Sequence, residues 1–195
     1  MNPMLAGVLQ DRAALYVSGE INAPERDAFD ILLAFQPELR AEVARLQEAV
    51  AAVVMAQVPP VAAPPPELKL RLLSAVDHLP SRPEPDGLVA TGPDGLVEWV
   101  NPAFTAMCGY ALDELRGRKP GHILQGPDTD PAVVARIREA MRERRACRET
   151  LVNYHKDGSR YRVDIRISPI LDDEGHPLWF VAREIRLPEE TAAAR

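Results

Sequence analysis

The cysteines of this sequence, which are the residues best suited to covalent chemistry, are few and stand apart. Cys108 and Cys147 are its two cysteines, and neither belongs to a CxxC motif. Asp128 and Asp130 are close enough to suggest a metal site, but a cap on the helix that follows explains Asp130 more simply. Because we find no nucleophile paired with a base and no metal-ligand spacing, the sequence predicts a protein that is not an enzyme.

Haem is a possible ligand by residue type, since His122 or His155 could offer an axial nitrogen to iron. His122 follows a Pro-Gly turn, and His155 precedes the turn at Lys156-Asp157-Gly158. The simpler interpretation of both is a histidine at the surface or at a strand edge. Cys108 is interpreted as a buried apolar filler and Cys147 as the start of a strand.

The composition favours a folded protein that avoids nucleic acid and membranes. The 195 residues are 46% hydrophobic, and the net charge of −6 gives no field that would attract phosphates. The basic stretch "RIREAMRERRACR" has Glu139, Glu143 and Glu149 in or beside it, which is typical of a solvated amphipathic helix. No apolar run is long enough to span a bilayer, and no signal peptide is evident. We therefore expect a cytoplasmic protein with reduced cysteines.

Proline-rich segments divide the chain. "VPPVAAPPPE" at 58–67 cannot lie inside a helix, and "HLPSRPEPDG" at 78–87 is a second break. Between the two, the helix formers at 67–77 place Leu68, Leu72 and Val76 on one face, as expected for a short amphipathic helix on a tether. The predicted domains are therefore 1–57, a linker at 58–85, a second domain at 86–187 and a tail at 188–195.

The first domain is predicted to be all helical. One helix ends at Gly19, a second begins after a cap at Asn22, and a third begins at Pro37. The third helix repeats apolar residues at steps of four and three, which favours packing in a helical bundle; these residues are Leu39, Val43, Leu46, Val50 and Val53.

The second domain is predicted to be α+β. Two short strands turn at Asp94-Gly95, and a helical zone follows with a cap at Asn101 and a longer helix near Pro131. Three further strands turn at Asp157-Gly158 and near Glu174-Gly175. The apolar and polar residues of "YRVDIRISPI" alternate, as in a half-buried antiparallel strand. The expected fold is a five-stranded antiparallel sheet with helices on one face.

Several separated motifs of the second domain resemble a PAS domain. They are "WVNPAFTAMCGYALDELRGRKP", "LQGPDTDP", "NYHKDGSRY" and "ISPILDDEG", and the second and third look most like the LOV branch. In LOV domains a cysteine adds covalently to a photoexcited flavin. Aligned on Leu124-Gln125-Gly126, that place holds Gly121, or Pro120 if the loop is shifted. The resemblance therefore implies a LOV-like domain that lacks the thiol photocycle.

The resemblance also implies which residues would meet a non-covalent flavin. Gln125 and Asn153 keep amides for the ring edge, and Arg138 keeps a cation for a phosphate. Other positions hold residues that differ from the LOV pattern; they are Pro120, His122, Val163 and Glu184. Glu184 stands in the place of a glutamine, or Arg183 does if the alignment is shifted by one residue. Each lost hydrogen bond costs about 1–3 kcal/mol. We therefore expect a core filled with its own side chains or a small pocket of unknown ligand, with non-covalent flavin as an alternative and haem as a weaker one.

Residues 5–77 are similar to the cytoplasmic domain of bacterial anti-sigma factors, in their helix order and in the tether followed by "LKLRLLSAV". Zinc-binding members have ligands where this chain has Leu32, Gln36 and Leu39, none of which can bind zinc in this role. The resemblance implies a transcription regulator that holds an ECF-type sigma factor inactive, with Leu68, Leu72 and Val76 as a second contact and a PAS homodimer as the cytoplasmic sensor. The alternative is a PAS dimer module with a helical cap that signals to another protein, with or without flavin or haem.

Overall fold

The computed structural model describes residues 3–57 and 86–188 of the chain. The predicted helix at 67–77, with Leu68, Leu72 and Val76, lies outside the described residues, as does the tail beyond 188. Within the two described ranges, no helix is both long enough and apolar enough to cross a membrane.

Three helices form the first described range; the first ends, and the second and third begin, where the sequence predicts, although the first begins at Pro3 rather than Leu9. They are α1 (Pro3–Ser18), α2 (Ala23–Phe35) and α3 (Pro37–Gln57). The Asn22 side chain caps α2, because its Oδ1 accepts a hydrogen bond from the Glu25 N–H at 3.0 Å. Gly19 ends α1 with a φ of 79°, which is a left-handed conformation that favours glycine.

The second range contains five strands and four helices. The strands are β1 (Gly87–Thr91), β2 (Val97–Val100), β3 (Cys147–Tyr154), β4 (Arg160–Leu171) and β5 (Pro177–Leu187). The helices between β2 and β3 are α4 (Pro102–Cys108), α5 (Leu112–Leu115), α6 (Pro120–Leu124) and α7 (Pro131–Arg142). All strand pairs are antiparallel, in the order β2-β1-β5-β4-β3. The predicted five-stranded antiparallel sheet is confirmed.

Each face of the sheet packs against its own set of helices. The inner face and α4–α7 share a core that includes Val89, Phe104, Leu124, Ile137, Val163 and Phe180. The outer face and α1–α3 share a second core that includes Phe29, Leu32, Ala90, Ile170, Trp179 and Val181. The helices of the second domain therefore lie on one face of the sheet, as expected, and the N-terminal helices cover the other face. The three N-terminal helices do not form a bundle with a core of its own, because the sheet supplies part of that core.

An aromatic cluster fastens α2 to the outer face. The Phe35 ring stacks on Trp99 with a centroid distance of 5.7 Å and meets Trp179 edge-on at 6.0 Å. The Trp179 indole N–H donates a hydrogen bond to the Glu98 carboxylate at 2.9 Å, so this buried ring keeps its polar partner. The last residue of α2 is thereby held between β2 and β5.

The apolar seam of α3 is buried over only part of its length. Leu39 and Val43 belong to the outer-face core, but Val50, Val53 and Met55 are 50%, 59% and 71% exposed. The prediction that the whole seam packs in a bundle is wrong for this end. At 21 residues, α3 is longer than α1 and α2, which have 16 and 13, and its C-terminal turns lie exposed among the described residues.

We expect the aromatic cluster to contribute measurably to stability. Replacing Phe35 by Ala removes a half-buried ring from between two tryptophans and should lower the free energy of unfolding by about 2 kcal/mol. As a control, Leu15→Ala removes an exposed side chain from α1 and should change it by less than about 0.5 kcal/mol. Urea denaturation measures both values, and equal effects of the two variants would contradict the attachment described here.

The three positions at which the anti-sigma resemblance would place zinc ligands have structural roles in this fold. Leu32 is fully buried, Leu39 is 6% exposed, and the Gln36 N–H donates to the Leu32 carbonyl at 2.8 Å to end α2. We therefore predict that the helices fold without zinc. The melting temperature followed by circular dichroism should be the same before and after dialysis against a strong chelator, whereas a metal-dependent fold would unfold.

Candidate functional site

A cavity of about 600 Å³ lies between the inner face of the sheet and helices α6 and α7. Its walls are largely apolar and include Val89, Leu124, Ile137, Leu151, Ile167 and Phe180. Cavities of this size commonly hold small organic ligands. The expectation of a filled core or a small pocket is therefore corrected: the PAS core leaves room for a ligand.

The loop between α6 and α7 is fastened to β3, which fixes this wall of the cavity. The Thr129 hydroxyl donates a hydrogen bond to the Val152 carbonyl at 2.7 Å and accepts one from the Gly126 N–H at 3.0 Å. The Tyr154 hydroxyl donates to Asp128 at 2.7 Å. Gly126 lies so close to Tyr154 that a Cβ there would be 2.5 Å from the ring. The residues after α6 are thus held in one position beside the cavity.

Asp130 has the simple role that the sequence suggested. Its side chain accepts a hydrogen bond from the Ala132 N–H at 2.8 Å and caps α7. Its neighbour Asp128 pairs with Arg160 at 2.9 Å, and the hydrogen bond from Tyr154 is the main reason why the pKa of Asp128 is lowered. Both carboxylates therefore have structural partners.

The two predicted amides both line the cavity. Asn153 on β3 is 3% exposed, and Gln125 follows α6 and is half-buried. An amide can donate and accept hydrogen bonds, so the pair can meet the polar edge of a ring. Gln125 lies against Gly121, where a Cβ would be 2.9 Å from the amide nitrogen of Gln125.

Glu184 on β5 is the most unusual residue of the cavity lining. It is 3% exposed, and its Oε2 atom has no hydrogen-bond partner among the described residues. Burial without a compensating cation raises the pKa of its carboxyl group to about 7. A carboxyl group with this pKa is neutral in a large fraction of molecules near neutral pH, and it can then donate a hydrogen bond.

Cationic side chains lie at the mouth of the cavity. Arg138, which was predicted from the sequence, lines it and is exposed to solvent, and the predicted His122 also lines it at an exposed position. Lys119 and Arg142 also line it and were missed, although Arg142 lies one helical turn after Arg138 and could have been found from that spacing. The arrangement places an apolar interior behind a positively charged entrance, which suits a ring with an anionic tail.

The cavity lining contains no thiol among the described residues. Cys108 is fully buried in the inner core and Cys147 is half-buried at the start of β3, and neither lines the cavity. Burial raises the pKa of both thiols, which keeps them protonated. Pro120 and Gly121 do line the cavity, so the place of the LOV cysteine faces the ligand space but holds no nucleophile.

His155 is not available to a ligand in the cavity. Its ring packs against Gly109, where a Cβ would lie 2.3 Å from Nε2, and its Nδ1 is 3.0 Å from the Asp157 carboxylate. Of the two histidines considered for haem, the cavity lining contains His122 alone.

One group of possible metal ligands occurs in the described ranges, at the turn between β4 and β5. The ligand atoms of Asp172, Glu174 and His176 lie within 4.8 Å of one another. The Asp172 carboxylate accepts hydrogen bonds from the N–H groups of Glu174 and His176, at 3.0 and 2.7 Å. These bonds close the turn and explain the cluster without an ion.

The architecture and its sequence match a known family. A PAS domain family model matches residues 85–186, and the chain therefore belongs to the PAS family. The solved structures to which this region is similar are LOV domains.

Curated relatives are blue-light proteins. The chain is 37% identical over 102 residues to phototropin-2 of Oryza sativa subsp. japonica, covering 52% of this chain and 11% of that protein. It is 41% identical over 98 residues to a blue-light photoreceptor of Listeria monocytogenes, covering 49% and 38%. The matched region thus spans well under half of these relatives.

Solved structures share the fold. The LOV domain of the EL346 blue-light activated histidine kinase of Erythrobacter litoralis superposes with a TM-score of 0.51 at 29% identity, covering 54% of this chain and 98% of that one. The dark structure of the Aureochrome1 LOV photoreceptor gives 0.51 at 26% identity, covering 67% and 90%.

Proposed function

We propose that this chain is a sensory regulator whose PAS domain binds a flavin-like heterocycle non-covalently. The observation that carries the proposal is the cavity, which combines apolar walls with Asn153, Gln125 and Glu184 inside and cations at its mouth. Flavin mononucleotide has the matching parts, namely a flat ring, a polar ring edge and a phosphate. Relatives named as blue-light photoreceptors support the same ligand class.

The residues that differ from the LOV pattern do not prevent this binding. Val163 is fully buried in the core but does not line the cavity. Lys119 and Arg138 line the cavity at exposed positions, where a phosphate would meet a positive charge, and His122 can offer the phosphate a hydrogen bond. Glu184 offers the ring edge a polar group in place of the LOV glutamine. A bound flavin would supply absorption of blue light, and the chain's own residues hold and orient the ring.

The sheet offers a direct route from this cavity to the helices. Successive residues of β5 point to opposite faces, so Phe180 lines the cavity while Trp179 and Val181 contact the N-terminal helices. A displacement of β5 caused by the ligand would therefore reach the contact of Trp179 with Phe35. In this proposal α1–α3 are the output element of the sensor.

We predict that wild-type protein loaded with flavin shows no reversible light-induced loss of the main visible flavin band, because no thiol lines the cavity. Gly121→Cys should introduce this loss, since residue 121 faces the ligand space and only the flexible Gln125 amide must move to admit the new side chain. Absorption spectra before, during and after blue illumination measure the change.

Ser159→Cys is the matched control, because it adds a thiol at an exposed turn with almost no change in size. It should behave as wild type. Bleaching of wild type, or of both variants equally, would show that the response does not depend on a thiol beside the cavity. If the Gly121→Cys protein binds flavin but does not bleach, the flavin ring does not lie beside residue 121 as proposed.

We further propose, from the resemblance to anti-sigma factors, that the helices bind and inhibit an ECF-type sigma factor. The observation that favours a protein partner is the exposed apolar stripe of α3, formed by Val50, Val53 and Val54. The apolar face of α2 lies on the sheet, so α3 is the helix that offers a free surface. The rival interpretation is a helical cap on a PAS module, and the packing of α2 on the sheet favours it.

Homodimerisation through the PAS domain is a proposal of the same kind. The outer face of β1 and β5 is covered by the N-terminal helices, so a second copy would meet other surfaces, such as the edge strands β2 and β3. The contribution of Leu68, Leu72 and Val76 to sigma binding likewise stays a prediction.

We predict that Val50→Glu weakens binding to the cognate sigma factor by at least about tenfold, because a charge would be buried at the contact. The control is Ala52→Glu, which adds the same charge about 200° around the helix and should bind as wild type. Calorimetry against the ECF-type sigma factors of the source organism measures the affinities. No binding by wild type would support the cap interpretation. Equal affinities of the two variants would show that the stripe on α3 does not contact the sigma factor.

A further inference from the structure

Glu184 is the one carboxylate that the described structure buries in the cavity wall without satisfying it. Two other buried polar groups have partners, since Thr91 Oγ1 donates to the Phe180 carbonyl at 3.3 Å and Thr129 bonds to β3. The Tyr161 hydroxyl is buried without a hydrogen-bond partner, like Glu184 Oε2. The preceding residue, Arg183, does not line the cavity, and its Nη1 pairs with Asp86 at 3.3 Å. A buried polar atom without a hydrogen-bond partner destabilises the fold. We therefore expect Glu184 Oε2 to bond to a partner that the described residues do not provide.

The groups that face Glu184 leave it without a counter-charge. Cys108 comes from α4 and Tyr161 from β4, and burial raises the pKa of both, so both are neutral near pH 7. β1 brings Gly87 opposite Glu184, and β3 contributes the uncharged Asn153 to the same cavity. None of these groups stabilises a carboxylate ion by an opposite charge.

We propose that Glu184 occupies the cavity as a neutral carboxylic acid and donates its O–H to a carbonyl oxygen or ring nitrogen of the ligand, so that binding requires one proton. This inference rests on the proposed function of the cavity. A carboxylic acid also has an accepting oxygen, so it can form two hydrogen bonds with a lactam edge, where a C=O adjoins an N–H. The ligand class is therefore a planar heterocycle with such an edge.

The direction of the pH dependence follows from this requirement. The carboxyl group is neutral at low pH and ionises as the pH rises through about 7. If only the neutral form binds, the apparent affinity follows the neutral fraction. Affinity should therefore be nearly constant below pH 6, fall about tenfold by pH 8 and fall about a hundredfold by pH 9. An amide at the same position would offer a donor that does not titrate.

The experiment measures riboflavin binding to the full chain at pH 6, 7, 8 and 9 by fluorescence quenching. Riboflavin has the lactam edge but no phosphate, so titration of a phosphate does not contribute. We expect wild type to lose about tenfold in affinity between pH 6 and pH 8. Glu184→Gln should bind with an affinity that changes less than about twofold over the same range. Circular dichroism at each pH shows whether both proteins are folded.

A second measurement uses wild type alone and does not depend on the variant. Calorimetry in two buffers of different ionisation enthalpy gives the protons taken up on binding, and uptake should approach one proton per riboflavin at pH 8. A flat affinity and no proton uptake in wild type would overturn the proton-linked contact while leaving flavin binding intact. An equal pH dependence in Glu184→Gln would overturn it too. If riboflavin binds neither protein at pH 6, the proposed function fails, and this inference fails with it.

Discussion

The fold depends on a five-stranded sheet that is buried on both faces. β5 lies at its centre, pairs with β4 along most of its length and pairs with β1 over residues 180–184, so its side chains contribute to two cores at once. Trp179 and Val181 serve the outer core, and Phe180 serves the inner one. Because neighbouring residues of one strand move together, whatever the inner core contains is linked mechanically to the helices outside.

The two faces are filled to different degrees. The outer face is covered by α1–α3, and the Phe35 ring of α2 contacts two tryptophans of the sheet, Trp99 and Trp179. The inner face is covered by α4–α7 but keeps a cavity of about 600 Å³. Burial in that partly filled core keeps Glu184 away from water and favours its neutral form. The open volume and the unpaired acid thus arise from the same incomplete packing, which a ligand would complete.

Local features of the fold could be predicted from the sequence because short-range rules govern them. Asn22, Asn101 and Asp130 cap helices as predicted. The predicted apolar positions of β4 pack in the inner core, although Asp164 on the opposite face is buried too; these positions are Tyr161, Val163, Ile165 and Ile167. The candidate residues His122, Gln125, Arg138, Asn153 and Glu184 all line the cavity, because their positions follow from a shared family pattern.

Long-range features could not be predicted in the same way. An amphipathic helix shows that one face will be buried, but its pattern does not say against what, so α2 was assigned to a bundle rather than to the sheet. The cavity volume depends on how far α6 and α7 stand from the sheet, which no single residue determines. The exposed C-terminal end of α3 could not be predicted for a related reason. A regular apolar repeat along a helix does not show how far the surface that covers it extends.

A flavin-like ligand in the PAS cavity would be visible in the absorption spectrum of the full chain purified without added cofactor. We expect a flavin-type visible band, with one flavin released per folded chain on denaturation. A colourless protein that also fails to take up added flavin mononucleotide or riboflavin would contradict this expectation.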